Sequence, residues 1–463
     1  MDTRRVTLVV LGLMFSSAIV LSQVPSNVEI RNILADRIGD EKAGLAIVVG
    51  VIDANGRRVV AYGSLANGDN RRLDGDTVFE IGSMTKVFTS LAMIDMARRG
   101  EVAVTDPVAK YLPTSVKVPE RNGRKITLAD LSTHSSGLPR MPTNFAPKDA
   151  ANPYVDYTVE QLYDFLSGYK LERDIGSEYE YSNLGAGLLG HALALRAGMS
   201  YESLVRSRIC DPLGMTDTRM TLTSGMKTRL AVGHNNALTP VANWDIPTLA
   251  GAGAFRSTAN DMLKFLAAAL GFVEAPIAPA MADAVSIRRP GENPETQMAY
   301  GWEVRTKDAS SIIWKGGATG GYRTYMGYDP KARVGVVVLS NMLRAAMDEI
   351  GPHLLNASNP LSKMGPLAHP EITLDPKIFD RYVGTYQFDP NESVTVSRDE
   401  GHFYAQLTGQ RKLEVFAETN RKFFYKVVDA ELEFEVDSRG AATQVTLHQN
   451  GRNHIAKRLS EAR

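Results

Sequence analysis

The segment "FEIGSMTKVFTS", residues 79–90, places Ser83 directly after a glycine and three residues before Lys86. Residues at positions i and i+3 of a helix are neighbours, with Cβ atoms about 5–6 Å apart. A serine hydroxyl is a weak nucleophile that needs a base beside it. A lysine acts as that base when burial or nearby positive charge lowers its pKa. The segment therefore predicts a nucleophile and its base at the start of a helix.

The apolar residues after Lys86 recur at helical spacing and predict a helix that ends near Arg99. These residues are Val87, Phe88, Leu91 and Ile94. The serine–lysine spacing alone is not specific, because Ser224 and Lys227 in "TSGMKT" repeat it. That second copy follows no predicted strand and opens no amphipathic helix, so we expect it to be inert.

Two further segments carry polar residues that suit a catalytic site. "YEYSNLGAGLLG", residues 179–190, contains Tyr181-Ser182-Asn183, the one Tyr-x-Asn sequence among 17 tyrosines. Its structural alternative is a turn with a helix cap at Asn183, since asparagine is a favoured cap. "IIWKGGATGGY", residues 312–322, puts Lys315 at the end of an apolar strand, before several glycines. Glycine in a strand often lets a backbone or ligand come close, although a plain glycine-rich turn would look similar.

The order of these three elements resembles the serine β-lactamase and penicillin-binding family. That family has Ser-x-x-Lys, then a Tyr/Ser-x-Asn element, then Lys-Thr-Gly. The resemblance covers about residues 30–355 and includes "ITLADLSTHSSGLPR", "ICDPLGMTDTRM" and "GAGAFRSTANDML". Because tyrosine opens the middle element, the chain looks most similar to the class C β-lactamase branch and its D-alanyl-D-alanine carboxypeptidase and esterase relatives.

The resemblance implies a role for each matched side chain. Ser83 would be the acylated nucleophile, and Lys86 and Tyr181 would take its proton and return one to the leaving group. Asn183 would bind the substrate amide. Lys315 would keep positive charge near the tyrosine and the substrate carboxylate.

The glycine-rich element around Lys315 implies further substrate contacts. The backbone N–H groups of Ser83 and Ala318 would form the oxyanion hole, and Gly317 and Thr319 would line the same site. Gly316 departs from the family, whose β-lactamases usually have threonine or serine at this position. That hydroxyl helps to hold a substrate carboxylate, so its loss weakens the expectation of carboxylate recognition.

The implied function is a serine hydrolase that forms an acyl-enzyme with amide, peptide, β-lactam or ester substrates. The resemblance favours a D-alanyl-D-alanine carboxypeptidase or peptidase. A carboxylesterase of the same fold and a penicillin-binding sensor without turnover remain alternatives. A Ser-His-Asp enzyme of the α/β-hydrolase type is not indicated, because the chain lacks Gly-x-Ser-x-Gly. His134 in "STHSSGLP" is expected to be structural.

The pattern of predicted elements divides the chain into parts. Residues 23–356 are expected to form an α/β (α+β) β-lactamase-like domain, with an antiparallel sheet flanked by helices and a mostly helical insert. Its first two strands are expected to join at a hairpin at Asn55-Gly56. Residues 357–371 have the composition of a linker. Residues 372–463 predict a small β-rich domain, a barrel or a sandwich, with a weaker resemblance to lipocalin-like domains.

The N-terminus predicts export. Arg4 and Arg5 precede an apolar run from Val6 to about Leu21, which is short for a membrane span. We interpret residues 1–22 as a signal peptide cut near Ser22, with an uncleaved membrane anchor as the alternative. The mature protein is then expected to be periplasmic or secreted.

Composition narrows the choice of partners. The 463 residues include 52 Lys plus Arg and 52 Asp plus Glu, so nothing indicates a nucleic-acid partner. The single cysteine, Cys210, excludes an internal disulfide and lies in an apolar context typical of a core residue. There is no His-Glu-x-x-His sequence. We therefore expect a small-molecule or peptide substrate, and neither a cofactor nor a metal.

Overall fold

An eight-stranded antiparallel sheet organises the first part of the chain. The computed structural model describes residues 24–39, 44–66, 68–307, 310–362, 371–389, 392–399, 401–410, 412–426, 430–449 and 452–459. The strands up to residue 340 are Ala46–Asp53 (β1), Gly56–Gly63 (β2), Val78–Glu80 (β3), Glu120–Arg121 (β4), Arg124–Lys125 (β5), Arg256–Thr258 (β6), Arg289–Pro290 (β7), Thr296–Met298 (β8), Glu303–Lys307 (β9), Ser310–Ala318 (β10), Arg323–Asp329 (β11) and Val334–Ser340 (β12). The sheet order is β2-β1-β12-β11-β10-β9-β8-β7, and β3 pairs separately with β6.

Helices pack on both faces of this sheet, and further helices form the insert that separates its strands in the sequence. They are Asn27–Ile38 (α1), Thr85–Arg98 (α2), Leu128–Ser132 (α3), Val159–Gly168 (α4), Asn183–Ala197 (α5), Tyr201–Val205 (α6), Ser224–Lys227 (α7), Ala259–Ala269 (α8), Ala278–Ala284 (α9) and Ile350–Leu355 (α10). Short 3-10 or π turns span Gly82–Met84, Val108–Tyr111, Arg206–Cys210, Asp211–Leu213, Ala250–Ala252 and Ala345–Glu349.

The two faces of the sheet explain the apolar runs in β1 and β12. Side chains alternate between faces along a strand. Val48 and Leu339 point into the core that contains α2 and α8, whereas Val49 and Val338 point into the core with α1 and α10. Because both faces are buried, these strands are almost continuously apolar rather than alternating. The expected antiparallel sheet with flanking helices is therefore confirmed.

The first hairpin differs from the prediction by one residue. Asp53 pairs with Gly56, so Ala54 and Asn55 form the two-residue turn. Gly56 opens β2 with φ of +110°, a region that favours glycine. The sequence correctly indicated the hairpin, and the glycine serves the first strand position rather than the turn itself.

The C-terminal part is a closed barrel with a core of its own. After the short helix Pro376–Phe379 (α11), the strands are Gly384–Asp389 (β13), Glu392–Asp399 (β14), His402–Leu407 (β15), Leu413–Ala417 (β16), Lys422–Phe424 (β17), Ala430–Val436 (β18), Ala442–Gln449 (β19) and Arg452–Arg458 (β20). Pairing of β13 with β20 closes the barrel. Aromatic rings fill it, with Phe379 stacked on Phe403 at 4.1 Å between ring centroids. Of the two β architectures expected here, the structure has the barrel.

Some sequence interpretations fall outside the described residues. The predicted export segment, residues 1–22, does so entirely, and so does most of the predicted linker, residues 363–370. Within the described part of the chain, no helix is long and apolar enough to cross a membrane. Cys210 is fully buried, as its apolar context indicated.

Candidate active site

A tight turn carries Ser83 to the end of strand β10. Strand β3 leads through Ile81 into the 3-10 turn Gly82–Met84, and α2 begins at Thr85. Gly82 has φ of +49°, and a Cβ there would lie 2.7 Å from the backbone nitrogen of Ala318. Glycine is therefore required both by the backbone conformation and by the contact. Ser83, the next residue, is half-buried and lies beside the strand that carries Lys315.

Lys86 is buried and makes three hydrogen bonds. Its Nζ donates to Ser83 Oγ at 3.0 Å, to Asn183 Oδ1 at 2.8 Å and to the Ala252 carbonyl at 2.7 Å. Burial is the main cause that lowers the pKa of Lys86 to about 8, with Tyr181 opposing and Lys315 adding to the effect. An amine with this pKa is partly neutral near physiological pH, so it is able to accept a proton.

Tyr181 approaches the same hydroxyl. Its phenol oxygen donates to Ser83 Oγ at 2.6 Å. The ammonium groups of Lys86 and Lys315 each lie 4.8 Å from the centre of the Tyr181 ring. Burial alone would raise the pKa of Tyr181, but these two positive charges outweigh it and bring the pKa down to about 8. Ser83 therefore lies between two groups whose pKa values are both about 8.

The start of α5 brings Asn183 into this network. Ser182 caps the helix, because its Oγ accepts from the Gly185 N–H at 2.8 Å. Asn183 is the first helical residue, and its carboxamide accepts from Lys86 and donates to the Tyr154 hydroxyl at 3.2 Å. The alternative of a cap at Asn183 is thus wrong by one residue, and the Asn183 side chain belongs to the site.

His134 supports the segment that carries Tyr181. Its Nδ1 accepts from the Ser182 N–H at 3.2 Å, and its ring centre lies 4.5 Å from that of Tyr181. Burial, reinforced by the charges of Lys315, Lys86 and Arg140, holds the pKa of His134 well below its usual range. A neutral, buried histidine that accepts a backbone hydrogen bond has the structural role expected from the sequence.

Lys315 is buried on β10 and pairs with an acid that the sequence did not indicate. Its Nζ donates to Glu303 Oε1 at 2.7 Å. Burial lowers the pKa of Lys315, but the negative charge of Glu303 outweighs it and raises the pKa above the ordinary value. Lys315 therefore stays positively charged, with an internal carboxylate as its counterion.

The residues around Ala318 make close backbone contacts. A Cβ at Gly317 would lie 2.0 Å from the Ile81 carbonyl oxygen, so a side chain does not fit there. Thr319 is 3% exposed, and its hydroxyl is enclosed by protein. The oxyanion and substrate-binding roles of Gly317, Ala318 and Thr319 stay predictions.

Three residues of the site were missed by sequence reasoning. Glu303 and Tyr154 contact Lys315 and Asn183 through tertiary packing, which no local spacing signals. The guanidinium carbon of Arg140 lies 5.0 Å from the Tyr181 ring centre. Arg140 is the last residue of "ITLADLSTHSSGLPR", a segment that carries part of the family resemblance. The sequence did not indicate that this arginine lies near Tyr181.

Comparison with known proteins agrees with this arrangement. Residues 34–357 match the Beta-lactamase family, and the chain belongs to that family. It is a serine hydrolase. Residues 368–457 match DUF3471, a domain of unknown function.

Individual relatives narrow the comparison. The chain is 35% identical over 324 residues to the D-alanyl-D-alanine-carboxypeptidase/endopeptidase AmpH of Escherichia coli K12. The aligned region covers 66% of this chain and 81% of AmpH. It is 26% identical over 425 residues to penicillin-binding protein 4* of Bacillus subtilis, which covers 86% of this chain and 91% of the relative. A solved β-lactamase/D-alanine carboxypeptidase from Yersinia pestis has a TM-score of 0.60 at 27% identity, covering 73% and 98% of the two chains.

Ser83→Ala and Lys86→Ala are each expected to remove most hydrolytic activity, and the double variant little more. Groups that act as one unit have strongly non-additive effects on rate. The measurement is kcat/KM for a nitrophenyl ester in the three variants. Ser224→Ala and Lys227→Ala are matched controls, because both residues are exposed on the one-turn helix α7. Equal losses at both pairs would contradict the assignment.

Tyr181→Phe keeps the ring and removes the hydroxyl on Ser83, so we expect intact folding and turnover lower by about 10²-fold or more. The measurement is turnover of the ester together with thermal unfolding, and a variant as active as wild type would make the Tyr181 hydroxyl dispensable.

In the wild type, kcat/KM for an uncharged ester should rise as pH increases through about 8, since the Lys86–Tyr181 pair must lose one proton before it accepts that of Ser83. The measurement is a pH–rate profile.

Proposed function

We propose that the protein is a D-alanyl-D-alanine peptidase that acts through an acyl-enzyme on Ser83. The observation that carries this proposal is the hydroxyl of Ser83, held at 3.0 Å by Lys86 and at 2.6 Å by Tyr181. The similarity to AmpH, a D-alanyl-D-alanine-carboxypeptidase/endopeptidase, supports the choice of substrate.

In the proposed reaction, the Lys86–Tyr181 pair first accepts the proton of Ser83 and then donates it to the leaving group. Ser83 Oγ attacks the substrate carbonyl while its proton passes to the Lys86–Tyr181 pair. The oxyanion that forms accepts from the backbone N–H groups of Ser83 and Ala318. The pair then gives the proton to the departing amine as the C–N bond breaks. Water attacks the acyl-enzyme with the same pair as base, which restores Ser83 and releases the acid.

The surroundings of Lys315 favour substrates without a carboxylate beside the scissile bond. A carboxylate that leaves water needs charged or hydrogen-bonding partners. The charge of Lys315 already has Glu303 as its counterion, and Gly316 has no hydroxyl. We therefore expect poor β-lactamase turnover, and better hydrolysis of uncharged esters and of peptides whose residue after the scissile bond has no free carboxylate, as in an endopeptidase reaction. An esterase activity of the same site is the second candidate, and this observation favours it.

A substrate panel and a label chase test the proposal directly. The panel contains a chromogenic cephalosporin, a D-Ala-D-Ala peptide, the C-terminal amide of that peptide and a short nitrophenyl ester. We expect hydrolysis of the peptides or the ester to exceed that of the cephalosporin. A fluorescent penicillin is expected to label Ser83 and to be lost with time. A permanent label, with no hydrolysis of the panel, would instead indicate a sensor.

Gly316→Thr should raise kcat/KM for a cephalosporin relative to a nitrophenyl ester. A charge-assisted hydrogen bond contributes roughly 1.5–3 kcal/mol, or about 10- to 100-fold. A Cβ at Gly316 would meet only Trp314 at 3.6 Å and the Thr324 carbonyl oxygen at 3.7 Å, so the backbone there has room for a Cβ.

Gly316→Val is the matched control for this change, because valine has the shape of threonine without the hydroxyl. It should leave the ratio close to that of the wild type. Efficient hydrolysis of cephalosporins by the wild type, or an equal change of the ratio in the threonine and valine variants, would contradict a role for the missing hydroxyl.

A further inference from the structure

The three cations around Tyr181 differ in how their charge is compensated. Lys86 directs all three N–H groups at protein acceptors, and Lys315 pairs with Glu303. Arg140 is exposed, and its side chain makes no ion pair or hydrogen bond with the part of the chain that the structure describes. Its positive charge is therefore available to a ligand.

The main chain of Arg140 is fixed next to Asn183. The Arg140 carbonyl accepts from the Asn183 N–H at 3.0 Å and from the Leu184 N–H at 3.2 Å, which are the first residues of α5. Its guanidinium carbon lies 5.0 Å from the Tyr181 ring centre. Arg140 thus belongs to the wall of the site that Asn183 forms, whereas Lys315 belongs to strand β10.

The position of Arg140 determines which part of a substrate it would meet. The family resemblance assigns Asn183 to the substrate amide and Lys315 to the substrate carboxylate, which a D-Ala-D-Ala peptide carries on its leaving group. Because Arg140 lies beside Asn183 and not on the strand of Lys315, we assign it to the acyl group. A guanidinium presents planar, paired N–H donors that suit a carboxylate. We propose that Arg140 binds a carboxylate carried by the acyl portion of the substrate, and that the enzyme prefers such acyl groups; this inference rests on the proposed function.

The specificity of Arg140 is testable with two esters that share a leaving group. Mono-4-nitrophenyl adipate carries a carboxylate on its acyl chain, and 4-nitrophenyl pentanoate does not. The measured quantity is the ratio of kcat/KM for the anionic ester to that for the neutral ester. Arg140→Gln should lower the ratio about 10-fold or more, the scale of a lost charge-assisted interaction. Added salt should lower the ratio in the wild type and have little effect on it in the variant.

Two further variants separate recognition from general effects of charge. Arg140→Lys keeps the charge without the paired donors and should restore part of the preference. Arg72→Gln removes one positive charge from an exposed arginine paired with Asp74, and should leave the ratio unchanged. A loss that is equal in Arg72→Gln and Arg140→Gln would overturn the proposal, since it would reflect net charge alone.

Two other results would also overturn the proposal. One is an unchanged ratio in Arg140→Gln. The other is a decrease in kcat/KM of Arg140→Gln for 4-acetoxybenzoate that exceeds its decrease for phenyl acetate. Because 4-acetoxybenzoate carries its carboxylate on the leaving group, this result would place the bound carboxylate there.

Failure of the proposed function has a separate signature: the wild type hydrolyses none of these esters, or Ser83→Ala hydrolyses them equally well. In that event, equilibrium binding of N-butyl adipamic acid, the monoamide that carries a free carboxylate, decides the role of Arg140. Weaker binding to Arg140→Gln than to the wild type would support the anion site, and equal affinity would overturn it.

Discussion

The buried ammonium of Lys86 connects segments that lie far apart in the chain. It bonds to Ser83 on its own helical turn, to Asn183 at the start of α5 and to the carbonyl of Ala252. A charged group removed from water is tolerated only where hydrogen bonds and opposite charge replace its hydration. The three acceptors meet that requirement, and the incomplete compensation of burial is also what lowers the pKa to about 8. The constraint that assembles the site is therefore also the one that lowers the pKa of Lys86.

The sheet positions the other half of the site. β1 pairs with β12, with Ile47 opposite Ser340, and β11 and β10 follow in order. The strands that come first and last in the sequence, β1 and β12, are thus neighbours in the sheet, and the mostly helical insert lies between them in the sequence. Gly82 and Gly317 then let the Ser83 turn approach β10 to backbone contact. Lys315 reaches Tyr181 because of this approach.

The sequence predicted those features that depend on residues close together in the chain. The Ser-x-x-Lys spacing, the helix after it and the hairpin depend on neighbours within a few residues, and the structure contains all of them. The cap of α5 is Ser182, whereas the alternative interpretation of the sequence predicted a cap at Asn183. Serine and asparagine are both favoured caps, so two adjacent candidates are not separated by residue type alone. Glu303, Tyr154 and Arg140 escaped prediction, since their roles arise from packing between elements that are distant in sequence.

The pairing of β1 with β12 also bears on how the protein folds. Contacts between residues so far apart in sequence close a very long loop, and proteins dominated by such contacts fold slowly. A chain that ends before β10 leaves β1 without its partner β12 and Ser83 without the strand that carries Lys315. The barrel, by contrast, is built from strands that pair mostly with their successors and has its own aromatic core. The two parts of one polypeptide therefore differ in how far apart in sequence their paired strands lie, and the candidate active site falls in the part with the longer separations.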